Sequence, residues 1–164
     1  MYLSLVIFCI ITIPQMLHHV PWFDEYWDWI LTKDLTLANC VPLMRQNGHF
    51  MLWYLLVMPL SRLNFAYPYS LLWINWIFYF LAIWFMWKKA PFNDYAKVII
   101  TFSYISTNYL PIVARCYSIG VLFLFIIASL YREQTKRPIL YSILLIFVLI
   151  IEPCKYTKNT QKKT

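Results

Sequence analysis

Long apolar runs alternate with polar breaks along this chain. The runs cover residues 2–17, 50–60, 70–87, 98–114, 117–131 and 139–151. Runs of this density and length belong in lipid. Lipid leaves only helices or closed barrels able to satisfy the backbone. Two glycines in the whole chain are too few for the turns of a barrel, so the runs are predicted helices. The expected fold is all-α, a polytopic membrane helix bundle of about five spans. Residues 1–151 form the membrane domain, and 152–164 form a polar, Lys- and Thr-rich tail that is expected to be disordered.

The runs are not equal. Run 2–17, interrupted by Pro14, has the length of a signal peptide but neither a basic start nor a small-residue cleavage site, and it reads as a retained first span. Run 70–87 is a clear span, closed by Lys88 and Lys89 and broken by Pro91. Run 98–114 contains Asn108 and Pro111 and is followed by Arg115. Run 50–60 is short for a full crossing.

The one long polar interruption in the first half of the chain is 18–49. It holds all three histidines and four of the seven acids, Asp24, Glu25, Asp28 and Asp34. Within it, Trp22, Phe23, Tyr26, Trp27, Trp29 and Ile30 surround three of those acids. Tryptophan and tyrosine favour the membrane–water boundary, so this part is predicted as a short amphipathic helix along the surface. On such a helix Asp24 and Asp28 share a face, and Glu25 points about 100° away.

Composition supports lipid over water. The chain is 62% hydrophobic and only 13% charged, about half the charge of a soluble domain. Its net charge of +7 does not point to nucleic acid, because the basic residues sit at the ends of apolar runs and in the tail. Loop 18–49 has only Lys33 and Arg45 against four acids, which places it outside the cytoplasm. If 50–60 does not cross, Lys88, Lys89, Lys97, Arg132, Lys136 and Arg137 fall inside and Arg115 falls outside beside the acidic loop. That arrangement follows the charge rule better than the alternative, although it leaves the basic tail outside. The scattered cysteines, Cys9, Cys40, Cys116 and Cys154, read as small buried hydrophobes.

Candidate chemistry starts with the adjacent acids Asp24 and Glu25. Framed by aromatic rings and fixed in depth by the preceding span, a carboxylate here can act as general base on an acceptor hydroxyl or amine. It can equally ligate a divalent metal, and the two readings stay open. His18, His19 and His49 lack the HxH or HExxH spacing of a metal site, so interfacial hydrogen bonding is their plain reading. Arg115, with Tyr109 and Tyr117 nearby, either holds a phosphate group or anchors a span end. The stripe Trp73, Trp76, Phe80, Trp84 has helical spacing and reads as packing and lipid contact.

Three stretches taken together resemble one family. They are Trp22-Phe23-Asp24-Glu25 after a first span, Gly48-His49 leading to Leu52-Trp53-Tyr54, and Ala114-Arg115 leading to Tyr117 and Gly120. In order and spacing they are similar to the N-terminal part of polyprenyl-phosphate-dependent glycosyltransferases with the GT-C membrane fold. That superfamily includes protein O-mannosyltransferases and the aminoarabinose transferases of lipid A. The resemblance covers roughly residues 17–131. It implies a multi-pass protein of the bacterial plasma membrane. It implies Asp24 as catalytic base with Glu25 assisting, and His49, Trp53, Tyr54 and Arg115 around a polyprenyl-phosphate-linked sugar. Two departures stand out: Phe50-Met51 replaces a Pro-Pro pair of the relatives, and no acid lies between Asp94 and Glu133 where they often have one. Such enzymes have about twice as many spans. The resemblance therefore leads one to expect a truncated product, or a second half encoded separately.

The functional expectation is a transferase moving a sugar from a polyprenyl phosphate to an acceptor on the outer face. A non-enzymatic membrane scaffold or partner subunit is the alternative, needing only the aromatic surfaces and the loop. A transporter ranks last, since no Asp or Glu falls inside a predicted span.

Overall fold

The structure, a computed structural model, describes residues 1–36, 51–131 and 138–151, with the side chains of 51 and 147–151 excepted. His49, Cys40, Arg45 and the tail 152–164 lie outside the described residues. Among the described residues there are eight helices and no strand. They are α1 Tyr2–Leu17, α2 Phe23–Lys33, α3 Met51–Arg62, α4 Tyr69–Lys89, α5 Asp94–Thr101, α6 Tyr104–Asn108, α7 Tyr117–Leu130 and α8 Pro138–Ile151.

Helix α4 organises the bundle. It is the one described helix long and apolar enough to cross a membrane. Both α1 and α7 are apolar but shorter, at 16 and 14 residues. α4 packs most extensively against α7, and polar side chains tie it to its other neighbours. The Trp76 indole donates to Thr12 Oγ1 of α1 at 2.9 Å. Tyr79 and Ser106 of α6 share a hydrogen bond of 2.7 Å. The Trp87 indole donates to Thr101 Oγ1 of α5 at 2.9 Å. The aromatic stripe does the packing expected of it, with Trp76 stacked on Phe80 and edge-on to Trp73. Trp84 lies instead under the Lys88 ammonium.

The run 98–114, expected as one span, is not a continuous helix. It divides into the end of α5, the short α6 and an irregular segment 109–116. The cause is local. Thr101 donates to the Lys97 carbonyl, Ser103 to that of Ile100 and Thr107 to that of Ser103. Ser103 also caps the start of α6. Such side chains offer the backbone alternatives to helical pairing. Pro111 then has no N–H with which to continue a helix.

Helix α2 packs against α3. The Arg62 guanidinium at the end of α3 donates to the Leu35 carbonyl just beyond α2. The turn after α3 holds Asn64 and Ala66 at φ 50° and 44°, the left-handed region. It brings Tyr67 against Trp29 and Tyr26.

Candidate functional site: two acids and an arginine under an aromatic helix

Helix α2 has its polarity reversed. Its buried residues are Glu25, Asp28, Trp29 and Thr32. Phe23, Tyr26, Trp27 and Ile30 face outward, and the Phe23 and Trp27 rings stack on one another. A helix sheds its acids into the interior only where donors meet them. Here the donors come from three directions.

Glu25 is fully buried. Its Oε2 accepts from the Trp22 backbone N–H at 2.7 Å and lies 2.8 Å from His19 Nε2. The first contact is half of a capping box, in which an acid in the first turn reaches back to the residue before the helix. An ionised carboxylate only accepts, so His19 Nε2 carries the hydrogen. Glu25 Oε1 accepts from the Ala114 backbone N–H at 2.6 Å. That last bond crosses the fold and fixes the irregular segment 109–116 against α2. The same segment is held from its other side, because the Leu110 carbonyl accepts from Asn75 Nδ2 of α4 and Ser118 Oγ of α7, both at 2.9 Å. Irregular backbone this deeply buried requires such partners.

Arg115 follows directly and is 8% exposed. Its guanidinium lies 3.6 Å from Asp28 Oδ2 and 3.7 Å from Asp24 Oδ2. The two acids are in unlike settings. Asp24 is two-thirds exposed at its side chain. Asp28 is 2% exposed, with Oδ2 accepting from the Trp53 indole and Oδ1 from the Tyr54 hydroxyl, both at 3.1 Å. Burial pushes Asp28 from the ordinary 3.8 up to about 6, against the opposing pull of Arg115, Trp53 and Tyr54, while nearby Asp24 adds to the rise.

The structure therefore brings Asp24, Glu25, Trp53, Tyr54 and Arg115 into one region. Trp53 and Tyr54, expected beside a substrate, are fully buried behind Asp28 and give it their polar hydrogens. Glu25 is enclosed and satisfied, and Asp24 is the acid open to solvent. The residues that sequence reasoning left out of the site are Asp28 and His19. Asp28 had a signal, since it lies four residues after Asp24 on a helix. His19 was singled out only as an interfacial hydrogen-bonding residue, and its specific partner, Glu25, depends on how the loop after α1 folds back. Among the described residues no three of His, Cys, Asp and Glu gather as a metal would require. A scan of protein-family models, a search of characterised proteins and a search of solved structures each find no match to this chain.

Proposed function

We propose that this chain is a polytopic helical membrane protein carrying the acceptor-activating site of a glycosyltransferase that uses a polyprenyl-phosphate donor. The observation that supports this most is the pair of unlike carboxylates around Arg115: one exposed and able to act, one buried and fixed. Two carboxylates in different environments commonly divide a reaction's roles between them. Membrane embedding is supported by α4 and by the bare apolar surface of other helices. Leu3, Ile10, Leu124, Ile139 and Ile146 are all exposed, and a surface facing water would interrupt such patches with charge.

In this reading Asp24 takes the proton of the acceptor hydroxyl or amine. The freed electron pair attacks the anomeric carbon of the lipid-linked sugar. The bond from that carbon to the phosphate oxygen breaks, and its electrons leave with the polyprenyl phosphate. Arg115 steadies the charge that develops on the departing phosphate. Glu25 takes no proton. It holds the loop after α1 against Ala114 and so sets where Asp24 and Arg115 stand.

The test is transfer from a polyprenyl-phosphate sugar by the full chain in lipid nanodiscs. Asp24→Asn is expected to lower the rate by about 10²–10⁴-fold with membrane insertion intact. Undiminished transfer in that variant would sink the assignment. A non-enzymatic partner subunit is the second reading, supported by the exposed rings of Trp22, just before α2, and of Phe23 and Trp27 on it. On that reading, changing those rings breaks an assembly while Asp24→Asn leaves it whole.

A further inference from the structure

The C-terminal end of α4 carries a patch that the acceptor site does not use. At about 1.5 Å per residue, the 21 residues of α4 run about 30 Å, the thickness of a hydrocarbon core. Its last two residues, Lys88 and Lys89, are exposed and stand at headgroup depth when α4 spans. The chain then turns. Ala90 is extended and Pro91 follows, and α5 starts from Asn93, whose side chain accepts from the Ala96 N–H at 2.8 Å. Helix α5 is fastened back onto the end of α4. The Trp87 indole donates to Thr101 Oγ1 at 2.9 Å, and Lys97 Nζ donates to the Trp87 carbonyl at 3.2 Å. Lys97 and Thr101 are four apart and share this inner face. Tyr95 and Ile99, also four apart, share the other face and are 83% and 70% exposed. Phe92, just before α5, is exposed as well.

The three lysines keep their charge. Lys88 lies over the Trp84 ring, Lys97 reaches a neutral carbonyl, and among the described residues no ion pair joins any of the three to an acid. Between residues 88 and 101 they stand against a single acid, Asp94. An apolar helix face beside such lysines, where a spanning helix leaves the bilayer, matches both parts of an anionic phospholipid, its acyl chains and its phosphate. A zwitterionic lipid fits less well, because its own ammonium already answers its phosphate. We infer that Lys88, Lys89 and Lys97 bind the headgroup of an anionic phospholipid whose acyl chains lie against Phe92, Tyr95 and Ile99. The inference rests on the membrane embedding of α4 and on nothing in the transferase chemistry. It also agrees with the proposed topology, which puts this end at the cytoplasmic leaflet, where anionic lipids give the surface a negative potential.

The experiment sets two lipids against each other on the full chain. The chain is reconstituted in nanodiscs of equal parts phosphatidylglycerol and phosphatidylcholine with the same acyl chains. The lipids it retains on release are then counted by native mass spectrometry. The wild type is expected to retain phosphatidylglycerol in preference. Lys88→Gln and Lys89→Gln are each expected to cut that preference about fivefold, the factor that corresponds to ~1 kcal/mol per lysine near an anionic surface. Lys33→Gln, at the end of α2, is the control and is expected to leave the preference unchanged. Equal retention of the two lipids by the wild type, or a preference that survives the Lys88→Gln, Lys89→Gln double variant, would overturn the inference. Excess inorganic phosphate is expected to leave the lipid in place, and displacement by it would assign the lysines to a free anion instead. A chain that fails to co-purify with phosphatidylcholine nanodiscs would sink the embedding of α4 and this inference with it. A lipid preference without transfer from any polyprenyl-phosphate sugar would sink the transferase reading alone.

Discussion

Glu25→Gln is the substitution that most directly tests how this site is built. The change removes a charge and alters almost no volume. Glu25 now accepts three hydrogen bonds, from Trp22 N–H, Ala114 N–H and His19. A glutamine has one oxygen to replace two. If that oxygen faces Ala114, the amide NH₂ meets the Trp22 N–H and His19. His19 can adapt by shifting its hydrogen to Nδ1, but the Trp22 N–H cannot. If the amide is turned round, the Ala114 N–H loses its acceptor instead. Either way one backbone donor is stranded, at a cost of about 1–3 kcal/mol. The surviving bonds also lose their charge assistance, worth roughly another 1 kcal/mol. A total near ~3 kcal/mol corresponds to a fall in Tm of about 6–12 °C for a chain of this size. The eight tryptophans make intrinsic fluorescence a suitable probe of thermal unfolding in detergent. Asp24→Asn, at an exposed position, is the control and is expected to stay within about 0.5 kcal/mol of wild type. A Glu25→Gln protein that melts with wild type would refute the account, because it would mean that the Glu25–Ala114 bond does not hold the segment 109–116 in place.

Three further outcomes are expected. Asp28 gives the fold a pH dependence: its native pKa is raised from 3.8 to about 6, so the folded state binds the proton more tightly. Its contribution is fully present below about pH 4 and is lost as the pH rises through 6, amounting to about 3 kcal/mol. Denaturant titrations at acid and neutral pH should show that slope in wild type and its loss in Asp28→Asn. Ala66→Gly relieves a left-handed conformation that a Cβ disfavours, and a gain of about 0.5–1 kcal/mol is expected in thermal melts, where a loss would contradict the strain. A reporter fused after Lys89 should give a cytoplasmic signal, and an extracytoplasmic signal would overturn the proposed topology.

Much of the helical layout could be read from hydropathy. α1, α4, α7 and α8 coincide closely with apolar runs, because a bundle needs apolar length above all else. The run 98–114 escaped that reading because hydropathy averages over hydroxyls. Thr101, Ser103 and Thr107 are spaced so that each reaches a backbone carbonyl, and that local chemistry divides what looks like one span. Serine and threonine at successive turns ahead of Pro111 were the available sign.

The candidate site was legible only within one helix. The shared face of Asp24 and Asp28 follows from helical spacing. Their meeting with Arg115, and the bond from Glu25 to Ala114, join positions about ninety residues apart in the chain. No local pattern states such a pairing. Hydropathy even argues for the opposite face of α2, since it would bury the rings of Phe23, Tyr26 and Trp27 and leave the acids wet. The structure turns the helix round because donors meet its acids there, two backbone N–H groups, an indole, a phenol and an imidazole, with the Arg115 guanidinium adding an ion-pair contact to Asp28. Those donors offset part of the cost of burying the two acids. On the proposed membrane reading, the outward rings of Phe23, Tyr26 and Trp27 would face the membrane–water boundary. The reversed face of α2 thus links the two halves of the proposed reading, since the contacts that bury Glu25 and Asp28 also turn Phe23, Tyr26 and Trp27 outward.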